Sequence, residues 1–104
     1  MKQIFIDKFI VPKSAIEEFL QKMNYNRNFI KNIQGCDSNT GYERTDENGN
    51  LIAITIVVWE SEDALNKAKE VVQAEYNRIN FNPAEMMSRL NITIDRGIYT
   101  EIED

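Results

Sequence analysis

The sequence predicts an α+β domain with four strands and two long helices in the order βαββαβ, and three observations carry that prediction. Stretches rich in Ile, Phe and Val, each bounded by Pro, Gly or Asn, lie at both ends of the 104-residue chain and in its middle. Between them run two stretches whose apolar residues recur at helical spacing. An Asn-Gly turn joins the two middle strands as a hairpin.

Residues 3–11 (QIFIDKFIV), closed by Pro12, read as the first strand. Ser14 with Glu17 predicts a capping box and a helix running to about Ile33, stopped at Gly35, with Ile16, Phe19, Leu20, Met23 and Ile30 as its apolar stripe. Residues 36–45 (CDSNTGYERT) are polar and suit an edge strand. Asn48-Gly49 turns the chain into residues 51–59 (LIAITIVVW), the most strand-like segment. Ser61 opens a second helix, with Glu62 and Asp63 in its first turn, where the helix dipole favours them. Its stripe is Ala64, Leu65, Ala68, Val71, Val72, Tyr76 and Ile79. Asn82-Pro83 predicts the start of a short extra helix, and residues 91–102 the last strand. Right-handed crossovers then give a ferredoxin-like antiparallel sheet with the first and third strands central and both long helices on one side. Residues 1–104 are expected to form one domain.

Alternation shows that this sheet has no solvated face. In the first strand Ile4, Ile6, Lys8 and Ile10 oppose Phe5, Asp7, Phe9 and Val11. In the third, Ile52, Ile54, Ile56 and Val58 oppose Leu51, Ala53, Thr55, Val57 and Trp59. Two helices cover only one face. Leaving the other wet costs roughly 1.5–3 kcal/mol for each large aliphatic side chain, so a partner subunit is expected. The alternative is that the short helix and the termini fold over that face.

Composition narrows the function. A net charge of −5 argues against nucleic acid or an anionic membrane as partner. The chain has no His, so the commonest general base near neutral pH is missing. Its one Cys, Cys36, allows neither an intrachain disulfide nor a four-ligand Cys/His zinc site. The opening MKQIFIDKFIVPK lacks the long apolar run of a signal peptide, and no stretch approaches a membrane span. A cytoplasmic location is expected.

The strand QIFIDKFIV, the segment GCDSNTGYER and above all ITIVVWESEDAL, a strand ending in Trp-Glu before an acidic helix start, resemble the antibiotic biosynthesis monooxygenase domain family from about Gln3 to Ile102. The resemblance implies a dimeric α+β barrel: two sheets face each other, helices lie outside, and each subunit holds a ligand pocket between helices and sheet. It implies a homodimer through the Ile-rich face, with the Phe5, Asp7, Phe9 face lining the pocket. Some members oxidise polycyclic phenols or quinols with molecular oxygen and no cofactor; others degrade haem. The haem-degrader Asn position resembles Asp7 here, the Trp position Ala68, and no His fills the third, which disfavours haem degradation.

The residues expected to carry chemistry follow. Asp7 needs a partner if buried, and Arg27, on the apolar stripe of the first helix, is a candidate; the pair would orient a polar substrate or place a carboxylate base near a phenol. Alternatively Arg27 snorkels outward and Asp7 is a structural polar group. Phe9, Thr55 and Trp59 share the face of Asp7, and the indole offers a flat wall to an aromatic ligand or simply fills the core. Ala68 leaves room for a ligand or permits close packing. Tyr76 offers a hydroxyl, and Met86 an adaptable lid or plain packing. The expected function is cofactor-independent oxygenation of a small aromatic, the alternative a catalytically silent binding dimer.

Overall fold

The computed structural model describes residues 1–103. Four strands, β1 (Gln3–Val11), β2 (Cys36–Thr45), β3 (Leu51–Trp59) and β4 (Thr93–Tyr99), form one antiparallel sheet in the order β2-β3-β1-β4. Helices α1 (Ile16–Ile30), α2 (Glu62–Arg78) and the short α3 (Pro83–Arg89) complete the α+β, ferredoxin-like fold. The hydrophobic strands β1 and β3 sit in the centre because both their faces are apolar, and polar β2 takes an edge, irregular between Cys36 and Ser38.

Two helix starts follow their sequence signals. Ser61 Oγ accepts a hydrogen bond from Ala64 N–H at 3.0 Å, and Asn82 Oδ1 accepts one from Glu85 N–H at 3.1 Å. The expected Ser14–Glu17 capping box does not form. Residues Lys13–Ala15 instead make a tight 3-10 turn, in which Ala15 N–H donates to Pro12 C=O at 2.8 Å, and α1 begins behind it with no side-chain cap. Helix α1 ends at Ile30, short of Ile33, and Gly35 occupies the following turn. Gly35 has φ +93°, and a Cβ there would lie 2.6 Å from the Ala64 Cβ, so backbone freedom and bare space are both required. Helices α2 and α3 end alike: Asn80 and Asn91 take φ near +56° and +57°, and the next residues, Phe81 and Ile92, donate back to Tyr76 and Met87. Strand β4 ends at Tyr99, earlier than expected, and Val71 is exposed, outside the true stripe of α2.

The helices pack on the odd-numbered face. Val11, Leu51, Ala53, Val57 and Trp59 are buried beneath them. The core is divided. One cluster gathers Val11, Ala15, Phe19, Leu51, Ala53 and Ile92. The other gathers Val57, Trp59, Leu65 and Ala68, with Phe5 and Ile30 against it. The even-numbered face, with Ile4, Ile6, Ile54, Ile56 and Val58 at its centre, carries no helix and is half-buried only by its own neighbours. Overall dimensions of 40 × 39 × 19 Å match one sheet and one helix layer.

Candidate functional site

Between the two core clusters, the sheet and all three helices line a half-open cavity of about 630 Å³. Its floor is set by strand register. Gly41 of β2 faces Thr55 of β3, Thr55 faces Asp7 of β1, and Asp7 faces Arg96 of β4. Across β3, β1 and β4 one transverse row thus interrupts a largely apolar face with a hydroxyl, a carboxylate and a guanidinium, and the edge strand β2 adds Asn39 one row away, opposite Val57. The next rows return to Phe9–Ala53 on one side and Phe5–Val57 on the other.

Asp7 is 6% exposed, and a buried carboxylate needs compensation. Arg96 supplies it in a two-pronged pair: Nε donates to Oδ1 at 2.8 Å and Nη2 to Oδ2 at 3.0 Å. The Arg96 guanidinium also lies 5.0 Å from the Phe5 ring centroid, a favourable cation–π distance. Hydrogen bonding to Asp7 raises the Arg96 pKa above its ordinary value against the opposing effect of burial. The expected Asp7–Arg27 pair is therefore corrected. Arg27 lies over Gly41, two strands from Asp7 and thus about 10 Å away across the sheet. Its Nε donates to Asn39 Oδ1 at 3.4 Å and its Nη2 to the Asn39 carbonyl at 3.5 Å, both long.

The cavity lining includes every residue singled out from the sequence: Asp7, Phe9, Arg27, Thr55, Trp59, Ala68, Tyr76 and Met86. Trp59, Ala68 and Met86 are nearly inaccessible. The rings of Phe9 and Phe19 pack 5.0 Å apart in one wall. Tyr76 stands edge-on to Phe81 at 5.2 Å. Burial chiefly raises the Tyr76 pKa, with Asp7 adding and Arg96 opposing, so its hydroxyl stays a donor at neutral pH. Sequence reasoning missed Arg96 and Asn39. Arg96 shares parity with Ile94 and Ile98, and that alternation was the available signal. Among the described residues, no three His, Cys, Asp or Glu side chains gather as a metal site requires, and no helix is long and apolar enough to cross a membrane.

Neither a family model nor a curated protein sequence matches the chain. Solved structures do. SnoaB, a cofactor-independent oxygenase from Streptomyces nogalater, is 20% identical with a TM-score of 0.66, covering 99% of this chain and 95% of its own. A protein proposed as an antibiotic biosynthesis monooxygenase from Deinococcus radiodurans is 15% identical with a TM-score of 0.69, covering 98% and 94%. A dimeric ferredoxin-like protein from an uncultured marine organism is 7% identical with a TM-score of 0.64, covering 97% and 98%. The chain therefore shares the ferredoxin-like α+β fold of these structures.

Proposed function

We propose that this protein is a cofactor-independent monooxygenase acting on a small phenol- or quinol-type aromatic, as a homodimer in the cytoplasm. The carrying observation is the cavity itself: an aromatic and aliphatic chamber of about 630 Å³ crossed by one polar row in which Asp7 is fixed by Arg96. The fold shared with a cofactor-independent oxygenase supports the reading.

The chemistry asks little of the protein. Arg96 uses two of the roughly four lone-pair positions on Asp7, so the carboxylate can still accept a hydrogen bond from a ligand hydroxyl. Removing that proton leaves an electron-rich phenolate. The ring gives its electrons to oxygen, a C–O bond forms, and the peroxide is protonated. Loss of water breaks the O–O bond and takes the ring hydrogen, leaving a quinone. One oxygen atom enters product and the other enters water, so the substrate itself is the reductant. In this reading Tyr76, held protonated in the cavity lining, would donate toward the nascent peroxide, and Trp59 and Phe9 would wall the ring plane.

The dimer is supported by the uncovered Ile-rich face and by the dimeric description of one structural neighbour. A catalytically silent binding dimer is the second reading, favoured by the pairing of both Asp7 oxygens with Arg96. Oxygen uptake with polycyclic phenols and quinols separates the two. The enzyme should consume one O₂ per quinone formed, and Asp7→Asn should slow it about a hundredfold while leaving the circular dichroism unchanged. Binding with no uptake for any phenol leaves only the silent reading. Equal rates for wild type and Asp7→Asn remove Asp7 from the mechanism.

A further inference from the structure

We propose that the ligand is an anion, an aromatic acid whose carboxylate is held at the β2 end of the cavity by Arg27 and Asn39. This deepens the reading of the cavity as a phenol site and rests on it.

The chain as a whole carries a net charge of −5, yet the cavity lining contains Lys22, Arg27, Lys69 and Arg96 against Asp7 as its one carboxylate. Arg96 is occupied by Asp7. Among the described residues, the other three cations form no ion pair with a carboxylate. Lysines at a cavity mouth are ordinary solvated groups, and Lys22 rests over the Phe81 ring at 4.9 Å, so the lysines carry little weight. Arg27 is different because the sheet makes space for it. A Cβ at Gly41 would stand 3.1 Å from Arg27 Nη1 and 3.2 Å from Cζ, and Gly41 has no positive φ to explain the missing side chain. The guanidinium is steadied by two long bonds to Asn39, while Nη1 has no acceptor among the described residues.

Asn39 adds the second observation. Its Nδ2 is buried with no hydrogen-bond partner, the one such atom among the described side chains, and the residue lines the cavity. An unpaired buried donor beside an underused guanidinium asks for an acceptor, and a carboxylate offers two oxygens that answer both. Farther along the polar row stand Asp7 and, at its end, Arg96, which are paired with each other, so Asp7 offers a ligand an acceptor and Arg96 is already engaged. A ligand with its hydroxyl over Asp7 and its carboxylate at Arg27 spans the two strand spacings between them, about 10 Å.

The test is calorimetric titration of the full chain at neutral pH with 6-hydroxy-2-naphthoate and 2-naphthol, which share two fused rings and a hydroxyl and differ by the carboxylate. The acid should bind at least about tenfold tighter, as one charge-assisted hydrogen-bond pair provides. Arg27→Met should abolish that preference and leave the naphthol affinity in place. Gly41→Ala keeps every charge but crowds the guanidinium, and should reduce the preference part way. Added salt should weaken the acid alone. Equal affinities for the two ligands, or a preference that survives Arg27→Met, would overturn the proposal while leaving the phenol site intact. Binding of neither overturns the cavity reading and this proposal together.

Discussion

The two faces of this sheet solve the same problem in opposite ways. The odd face, with Phe5, Asp7, Phe9, Thr55 and Trp59, is roofed by helices and includes an ion pair at its centre. The even face, with Ile4, Ile6, Ile54 and Ile56, is aliphatic around a single central-strand charge, Lys8 opposite Ile54, and has no roof. Apolar content alone would assign the core to the wrong side. The difference teaches that the covered face gives up some packing to hold a cavity and a charge pair. The uncovered face keeps an aliphatic patch around Ile4, Ile6, Ile56 and Val58, of the kind a second sheet buries, with Lys8 at its border.

The largest test strikes the even face. Ile56→Lys places a charge opposite Ile6 in the aliphatic part of the proposed interface, where desolvation costs several kcal/mol. The dimer should dissociate at least about a hundredfold more readily by analytical ultracentrifugation. A variant that stays dimeric at wild-type concentrations would mean that this face is not the interface. On the odd face, Arg96→Met strands the Asp7 carboxylate and should destabilise by about 3 kcal/mol, the low end for a broken buried pair because Arg96 is half in water. The double variant Asp7→Asn/Arg96→Met should recover much of that loss in chemical denaturation, and additive effects would show that the pair is not coupled.

Smaller effects sharpen how the helix layer is fastened to the odd face. Asn91→Ala forces an ordinary side chain into the left-handed turn that seats Ile92 in the core, and should cost about 1 kcal/mol in urea unfolding, whereas Asn91→Gly should be near neutral. The smallest effect concerns the tie between α1 and α2. The Tyr25 hydroxyl donates to Glu75, and Arg78 holds the same carboxylate at 2.7 and 2.8 Å. Arg78 first, then Tyr25, pulls the Glu75 pKa from 4.5 down to about 2. A lowered carboxylate stabilises the fold above its ordinary range and loses that contribution as pH falls through the lowered value. Wild type should therefore melt slightly higher than Glu75→Gln at neutral pH, and the two curves should converge near pH 2. The effect is small because Arg78 stands in water, although the Glu75 side chain itself is largely covered.

Most strands were legible in the sequence because strand signals are local. β1, β2 and β3 begin and end where Pro12, Gly35, the Asn48-Gly49 turn and Ser61 place them. Failures came where two local signals competed or where the answer lay far along the chain. Ser14 and Glu17 had capping spacing, but Pro12 favoured a tight turn that moved Ser14 off the cap. Parity put Asp7, Thr55 and Trp59 on one face, and the cavity follows from that. The partner of Asp7 lay 89 residues away on a strand joined by no hairpin, so no turn fixed its register. Arg27 was a nearer guess on a helical stripe, yet helical phase says nothing of which strand lies beneath.

The divided core has a thermal consequence. Two apolar clusters separated by a chamber share a sheet but little side-chain contact across the gap, so each can loosen with limited penalty to the other. A molecule that fills the chamber touches both and serves as the missing middle of the core. Its arrival should raise the melting temperature, steepen the transition and slow amide exchange in α1 and α2 together. A ligand that fits the cavity would in that sense act as a structural element as well as a substrate.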